Sequence, residues 1–152
     1  LAPVAELQAA GAPVGIGCDG SASTDHGSLW LEARTALLQG RLRGGPSAMG
    51  ARDALEIATR GSAGCLGRTG ELGQLSVGAA GDLVCWPLEG VAFAGALTDP
   101  VEAWLRCGPT TARHTVVAGR TVVRDGALSS HGADDIVRRH RLASARIQGV
   151  EH

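Results

Sequence analysis

The alternation of apolar and polar positions changes character along the chain. Residues 3–10, "PVAELQAA", open with Pro3 and stop before Gly11, which predicts a short helix. After a Gly/Pro connection, residues 14–18, "VGIGC", show no polar alternation. A run of that kind predicts a short β-strand covered on both faces. Helix, loop and buried strand make an α/β unit, and such a strand needs neighbours on both sides. Ser28 stands where a helix N-cap belongs. Over 29–39, "LWLEARTALLQ", Trp30, Ala33, Leu37 and Leu38 recur at helical spacing, while Glu32 and Arg34 fall elsewhere. "RGGPSAMG" (43–50) reads as a loop. "ARDALEIATRGSAGCLG" (51–67) opens another helix with Leu55 and Ala58 on one face, and Gly61 and Gly64 weaken its end.

Beyond residue 68 the pattern shortens. Glycines at 70, 73, 78 and 81 separate brief β-prone pieces, and 82–86 reads as a strand. Residues 99–106, "DPVEAWLR", predict a helix with Asp99 as N-cap and Pro100 in its first turn. "HTVVAGRTVVRDGAL" (114–128) predicts a β-hairpin turning at Ala118-Gly119, with Asp125-Gly126 marking the next turn. A final helix is expected over 134–148, with Ile136, Ala143 and Ile147 on one side. The expected architecture is an α/β part over 1–68, a mostly β part over 69–130, and a helix and tail over 131–152.

Composition narrows the function classes. The chain has 152 residues, 44% hydrophobic and 19% charged, which suits one packed domain rather than disorder. A formal net charge of -1 gives no electrostatic basis for a nucleic-acid or anionic-membrane partner. Aromatic content of 3% leaves little for base stacking. No apolar stretch approaches the roughly 18 residues that cross a bilayer. The first residues lack the basic start and apolar run of a signal peptide. Cys18, Cys65, Cys85 and Cys107 are widely separated and form no CxxC pair, so neither a zinc knuckle nor a disulfide framework is expected. These features predict a cytoplasmic protein with buried free thiols.

The chemistry candidates gather after the apolar run. Asp19 follows it directly, and the C-terminal ends of strands in α/β folds are where active sites are built. Gly20, Ser21, Ala22 and Ser23 add little bulk beside it. Asp-Gly is equally a turn dipeptide, so Asp19 reads either as a pocket carboxylate or as an Asx-type turn. Asp25 and His26 read either as pocket residues or as part of a helix approach, where acids are favoured. The histidines, His26, His114, His131, His140 and His152, form neither HxH nor HxxxH, so sequence neighbours supply no imidazole cluster. There is no GxSxG and no GxxxxGK[ST]. A phosphatase-like aspartate nucleophile lacks its second acid, because Gly17 and Ser21 flank Asp19 at two residues' distance.

Four stretches together resemble a known family. "VGIGCDGSASTD", "EARTALLQGR", "ALEIATRGSAGCLGRTGELGQLSVGAAGDLVCW" and "TVVAGRTVVRDGAL" are similar to the C-terminal third of amidohydrolase-superfamily deaminases. The nearest branch holds 8-oxoguanine deaminases, guanine deaminases and triazine hydrolases. The resemblance implies the C-terminal fragment of a (β/α)8 TIM barrel, followed by part of a small β-sandwich domain and a terminal helix. It implies one divalent ion, zinc or alternatively iron, that activates a water for attack on a ring carbon. Asp19 matches the family's metal-binding, proton-shuttling aspartate. Ser21, Ser23 and Asp25 are the residues placed to face a small heterocyclic substrate. The implied reaction is hydrolytic deamination of a purine-like ring, with triazine amino- or chlorohydrolysis as the alternative. A non-catalytic β-rich interaction module is the alternative of another class. The family's HxH and catalytic Glu have no match here, so the chain is expected to be inactive without the N-terminal part of the barrel, and to form homo-oligomers.

Overall fold

The computed structural model describes residues 2–20, 22–130 and 132–150. Helix α1 covers Val4–Ala9, α2 Leu29–Gly44 and α3 Ala51–Glu56. A π-helical turn at Ile57–Gly61 leads into α4, Ser62–Cys65. Strand β1 is Leu83–Cys85, and α5 is Pro100–Cys107. Strands β2, β3 and β4 follow at His114–Val117, Arg120–Arg124 and Ala127–Leu128, before α6 at Ala133–Gln148.

The core lies among α2, α3, the π-helical turn and α5. Trp30, Ala33 and Leu37 from α2 meet Met49, Ala51, Ala54, Ile57 and Leu105. Helix α2 begins at Ser28, whose Oγ accepts from the Leu31 N–H at 3.4 Å. It runs past the expected stop at 39, because nothing breaks it before Gly45 at φ 91°. Ala36 shares its buried face, whereas Leu38 is 54% exposed. One residue past Leu37 turns a side chain about 100° away from the core. Across α3 and the π-helical turn the fully buried positions are Ala51, Ala54 and Ile57, with Ala58 half-buried against the core and Leu55 half-buried.

Residues 14–18 differ from expectation. Among the described residues they pair with no strand. A parallel strand needs the amides and carbonyls of a neighbouring strand, and no described strand pairs with this segment. A side chain meets this backbone instead. The Ile16 N–H donates to Ser62 Oγ at 3.1 Å, and the Ser62 hydroxyl donates toward the Ile16 carbonyl oxygen at 3.2 Å. Val14 and Ile16 pack against the core from this segment.

The later strands form one antiparallel sheet in the order β1-β2-β3-β4, with Leu83 opposite Val116 and a register shift between Thr115 and Val116. Ala118 and Gly119 turn with φ 49° and 76°, and Asp125 and Gly126 with φ 50° and 80°. Both expected hairpin dipeptides therefore adopt the paired positive φ of tight hairpin turns. Asp82 Oδ1 accepts from the Ala118 N–H at 2.7 Å, which ties the approach to β1 to that turn. No second sheet occurs among the described residues. The Trp86 and Trp104 rings lie 5.8 Å apart, between the end of β1 and α5.

The four thiols are free, but they are not buried. Cys65 and Cys85 are exposed, and Cys18 and Cys107 are half-buried. Cys85 is exposed because β1 has no second layer over it among the described residues. No described helix is long and apolar enough to cross a membrane.

Candidate functional site

Burial alternates along the end of the apolar run. Ile16 and Cys18 are half-buried, and Gly17 and Asp19 are exposed. Successive side chains of an extended chain point to opposite sides, so Cys18 turns toward the helices and Asp19 away from them. The Asp19 carboxylate accepts a hydrogen bond from the Gly20 N–H at 2.7 Å. Among the described residues this is its only hydrogen bond, and it has no ion pair. Asp19 thus makes a local contact to the backbone that follows it, and its carboxylate is otherwise open to solvent.

The loop after it folds on itself. The Gly20 carbonyl accepts from Ser23 N–H at 2.8 Å and Thr24 N–H at 3.2 Å. Thr24 Oγ1 donates to the His26 carbonyl at 3.1 Å. Ser23 and Asp25 are exposed, and no hydrogen bond or ion pair joins them to Asp19. Ser21 lies outside the described residues.

A different set of side chains converges. Cys18, His26 and Glu32 each place one potential ligand atom within 4.8 Å of the other two, and all three are half-buried. Glu32 arrives one turn into α2, its N–H donating to the Ser28 carbonyl at 3.1 Å. His26 Nδ1 accepts a long contact of 3.4 Å from the Ser28 N–H. Asp19 is not in this group. Sequence spacing did not single out Cys18 or Glu32, because they come from separate elements and no short motif connects them. Only the folded segment reveals the pairing, because its burial alternation sends Cys18 to the side where α2 begins.

Charge elsewhere is arranged in exposed pairs. The Arg68 guanidinium holds Glu71 below the usual carboxylate range, Arg113 does the same to Glu89, and Arg43 to Glu6. Arg68 and Arg113 are raised in turn by their partners.

The amidohydrolase family profile matches residues 1–122. This chain belongs to the amidohydrolase family. Among curated proteins the amidohydrolase chain is similar to the 8-oxoguanine deaminase of Pseudomonas aeruginosa, at 42% identity over 147 residues, covering 97% of this chain and 32% of that protein. It is also similar to the 5-methylthioadenosine/S-adenosylhomocysteine deaminase of Desulforudis audaxviator, at 32% identity over 97% of this chain and 34% of that protein. Among solved structures it resembles the atrazine chlorohydrolase of Arthrobacter aurescens complexed with zinc. The TM-score is 0.83 and the identity 38%, over 93% of this chain and 32% of that one. An adenosine deaminase from Xanthomonas campestris with bound zinc aligns at TM-score 0.84 and 27% identity, over 99% of this chain and 34% of that one. The chain spans about a third of the length of the curated relatives it matches.

The family's divalent metal can be tested against Asp19. A solvent-facing carboxylate with one oxygen on a backbone amide fits as a single oxygen ligand for zinc or iron. It fits as one ligand only, because the one group of three or more potential ligand side chains among the described residues excludes it.

Proposed function

We propose that this chain is the C-terminal portion of a metal-dependent hydrolytic deaminase acting on a C–N bond of a purine-like heterocycle, with 8-oxoguanine or guanine as substrate. The observation that carries this reading is the 42% identity to an 8-oxoguanine deaminase over a span that runs through Asp19. A bound zinc or iron ion would supply water activation. Asp19 has two tasks in this reading. It gives the ion one oxygen, and its open carboxylate takes up a proton and returns it to the departing nitrogen. The Gly20 N–H holds one oxygen of that carboxylate. Ser23 and Asp25 are exposed on the same loop and are proposed, with Ser21, as substrate-facing groups. Residues 1–68 are proposed as the last part of the barrel, 69–130 as part of a composite β-sandwich, and 131–152 as a closing helix and tail.

Residues 14–18 are read as a barrel strand, and their lack of a strand partner among the described residues supports dependence on further barrel strands. The 152-residue chain alone is therefore expected to be inactive. A triazine-type amino- or chlorohydrolase is the second reading, supported by the likeness to the atrazine chlorohydrolase.

The test compares this chain with a version carrying the remaining barrel. Bound zinc and iron are quantified, and turnover of 8-oxoguanine, guanine and a chlorotriazine is measured. The deaminase reading expects metal and purine turnover in the longer version only. Turnover of the triazine alone supports the second reading. A longer version without metal or turnover refutes both, and turnover by the 152 residues refutes the dependence on further strands.

A further inference from the structure

We propose that Cys18, His26 and Glu32 form a binding site for a thiophilic divalent cation, zinc in the first instance. The three side chains come from the end of the 14–18 segment, the loop before α2, and the first turn of α2. Their potential ligand atoms lie within 4.8 Å of one another. A tetrahedral zinc ion with bonds of about 2.0 to 2.3 Å holds its ligands about 3.5 Å apart. Binding would therefore draw the three side chains closer together.

Three features favour an ion over a polar cluster that satisfies itself. First, no hydrogen bond joins any two of the three among the described residues. Second, Glu32 is half-buried and has no ion pair among the described residues, which leaves its carboxylate available as a ligand. Third, charge balances. The Cys18 thiol releases its proton to solvent on coordination, so a thiolate, a carboxylate and a neutral imidazole offset a doubly charged ion. Sulfur and nitrogen donors select zinc over magnesium and calcium, which take oxygen ligands.

Surrounding contacts set the loop for this role. Thr24 Oγ1 holds the His26 carbonyl, and the Ser28 cap fixes where α2 starts and hence where Glu32 stands. The Ser28 N–H contact to His26 Nδ1, at 3.4 Å, is long enough to be given up. Coordination through Nδ1 replaces it, and coordination through Nε2 leaves Nδ1 protonated. Water fills the fourth position. This site does not depend on the deaminase reading, since it uses neither Asp19 nor a substrate.

Cobalt(II) titration of the 152-residue chain tests it, with zinc competition and with Cys65, Cys85 and Cys107 replaced by serine. The expected result is one equivalent of cobalt with a sulfur-to-cobalt charge-transfer band that zinc abolishes. Cys18→Ser removes the band. His26→Gln and Glu32→Gln weaken binding by at least about 10-fold, the scale of losing even an outer-shell partner. Asp19→Asn leaves the band unchanged. Absence of the band, its persistence in Cys18→Ser, or equal affinity in His26→Gln and Glu32→Gln would overturn the proposal.

Discussion

Gly61 sits where the 14–18 segment crosses the π-helical turn, and the two backbones nearly touch. A Cβ there would stand 2.2 Å from the Val14 carbonyl oxygen. The atom it would meet is backbone rather than the tip of a flexible side chain, so Gly61→Ala is expected to cost about 1 to 3 kcal/mol, the scale of overpacking. Urea unfolding checks this, and a loss below about 0.5 kcal/mol, the scale of an ordinary surface substitution, would show the contact to be soft. In sequence Gly61 reads only as a weak helix end, because the crossing segment lies far away along the chain. Asp19 stands out for a local reason, since an apolar run followed by Asp-Gly is a pattern of adjacent residues. Cys18 and Glu32 were illegible for the opposite reason. Their proximity depends on how the loop between them folds, and side-chain spacing carries no record of that.

Helix α5 shows what local chemistry fixes at the scale of an element. Asp99 Oδ1 accepts from the Val101 and Glu102 N–H groups at 3.0 and 3.1 Å, and Pro100 occupies the first helical position. Asp99→Ala should therefore destabilise the chain by about 1 kcal/mol. Asp99→Asn, which keeps an acceptor, should recover most of it. Equal losses in the two variants would shift the credit from the cap to the Arg52–Asp99 ion pair. Caps and paired positive-φ turns are written in two to four adjacent residues, and for that reason α5 and both hairpin turns agree with the sequence. The 14–18 strand does not appear, because a strand is defined by a partner. Ile57 belongs to the same contrast, since it carries the buried face of a turn whose π-helical form was not legible. Ile57→Ala should cost about 2 to 5 kcal/mol, measured by the same unfolding transition, and a cost below about 1 kcal/mol would show the site collapsing around the cavity.

At the scale of the whole molecule, apolar surface stands open. Leu75, Val77, Val91 and Ile147 are exposed at 80%, 107%, 95% and 87%, and no residue of α6 is buried. Exposed apolar side chains in this number leave surface that association could cover. Sedimentation velocity should show the 152-residue chain self-associating with rising concentration, and a monomer at every concentration would contradict this. Acid should act weakly. Glu6, Glu71 and Glu89 bind protons less readily when folded, so the stability they add is present above their ordinary value of 4.5. It is lost as pH falls through their lower folded values. All three pairs are exposed, so added salt should largely erase the effect on the urea midpoint.

Asp19 is the residue on which the deaminase reading turns. The most direct measurement is kcat for 8-oxoguanine in the barrel-complete protein and in its Asp19→Asn form, with bound metal quantified in both. The carboxylate's proposed roles as oxygen ligand and proton carrier predict a fall of at least about 100-fold, the lower end of what a positioned acid–base group contributes. Wild-type turnover that survives Asp19→Asn within about twofold would contradict them.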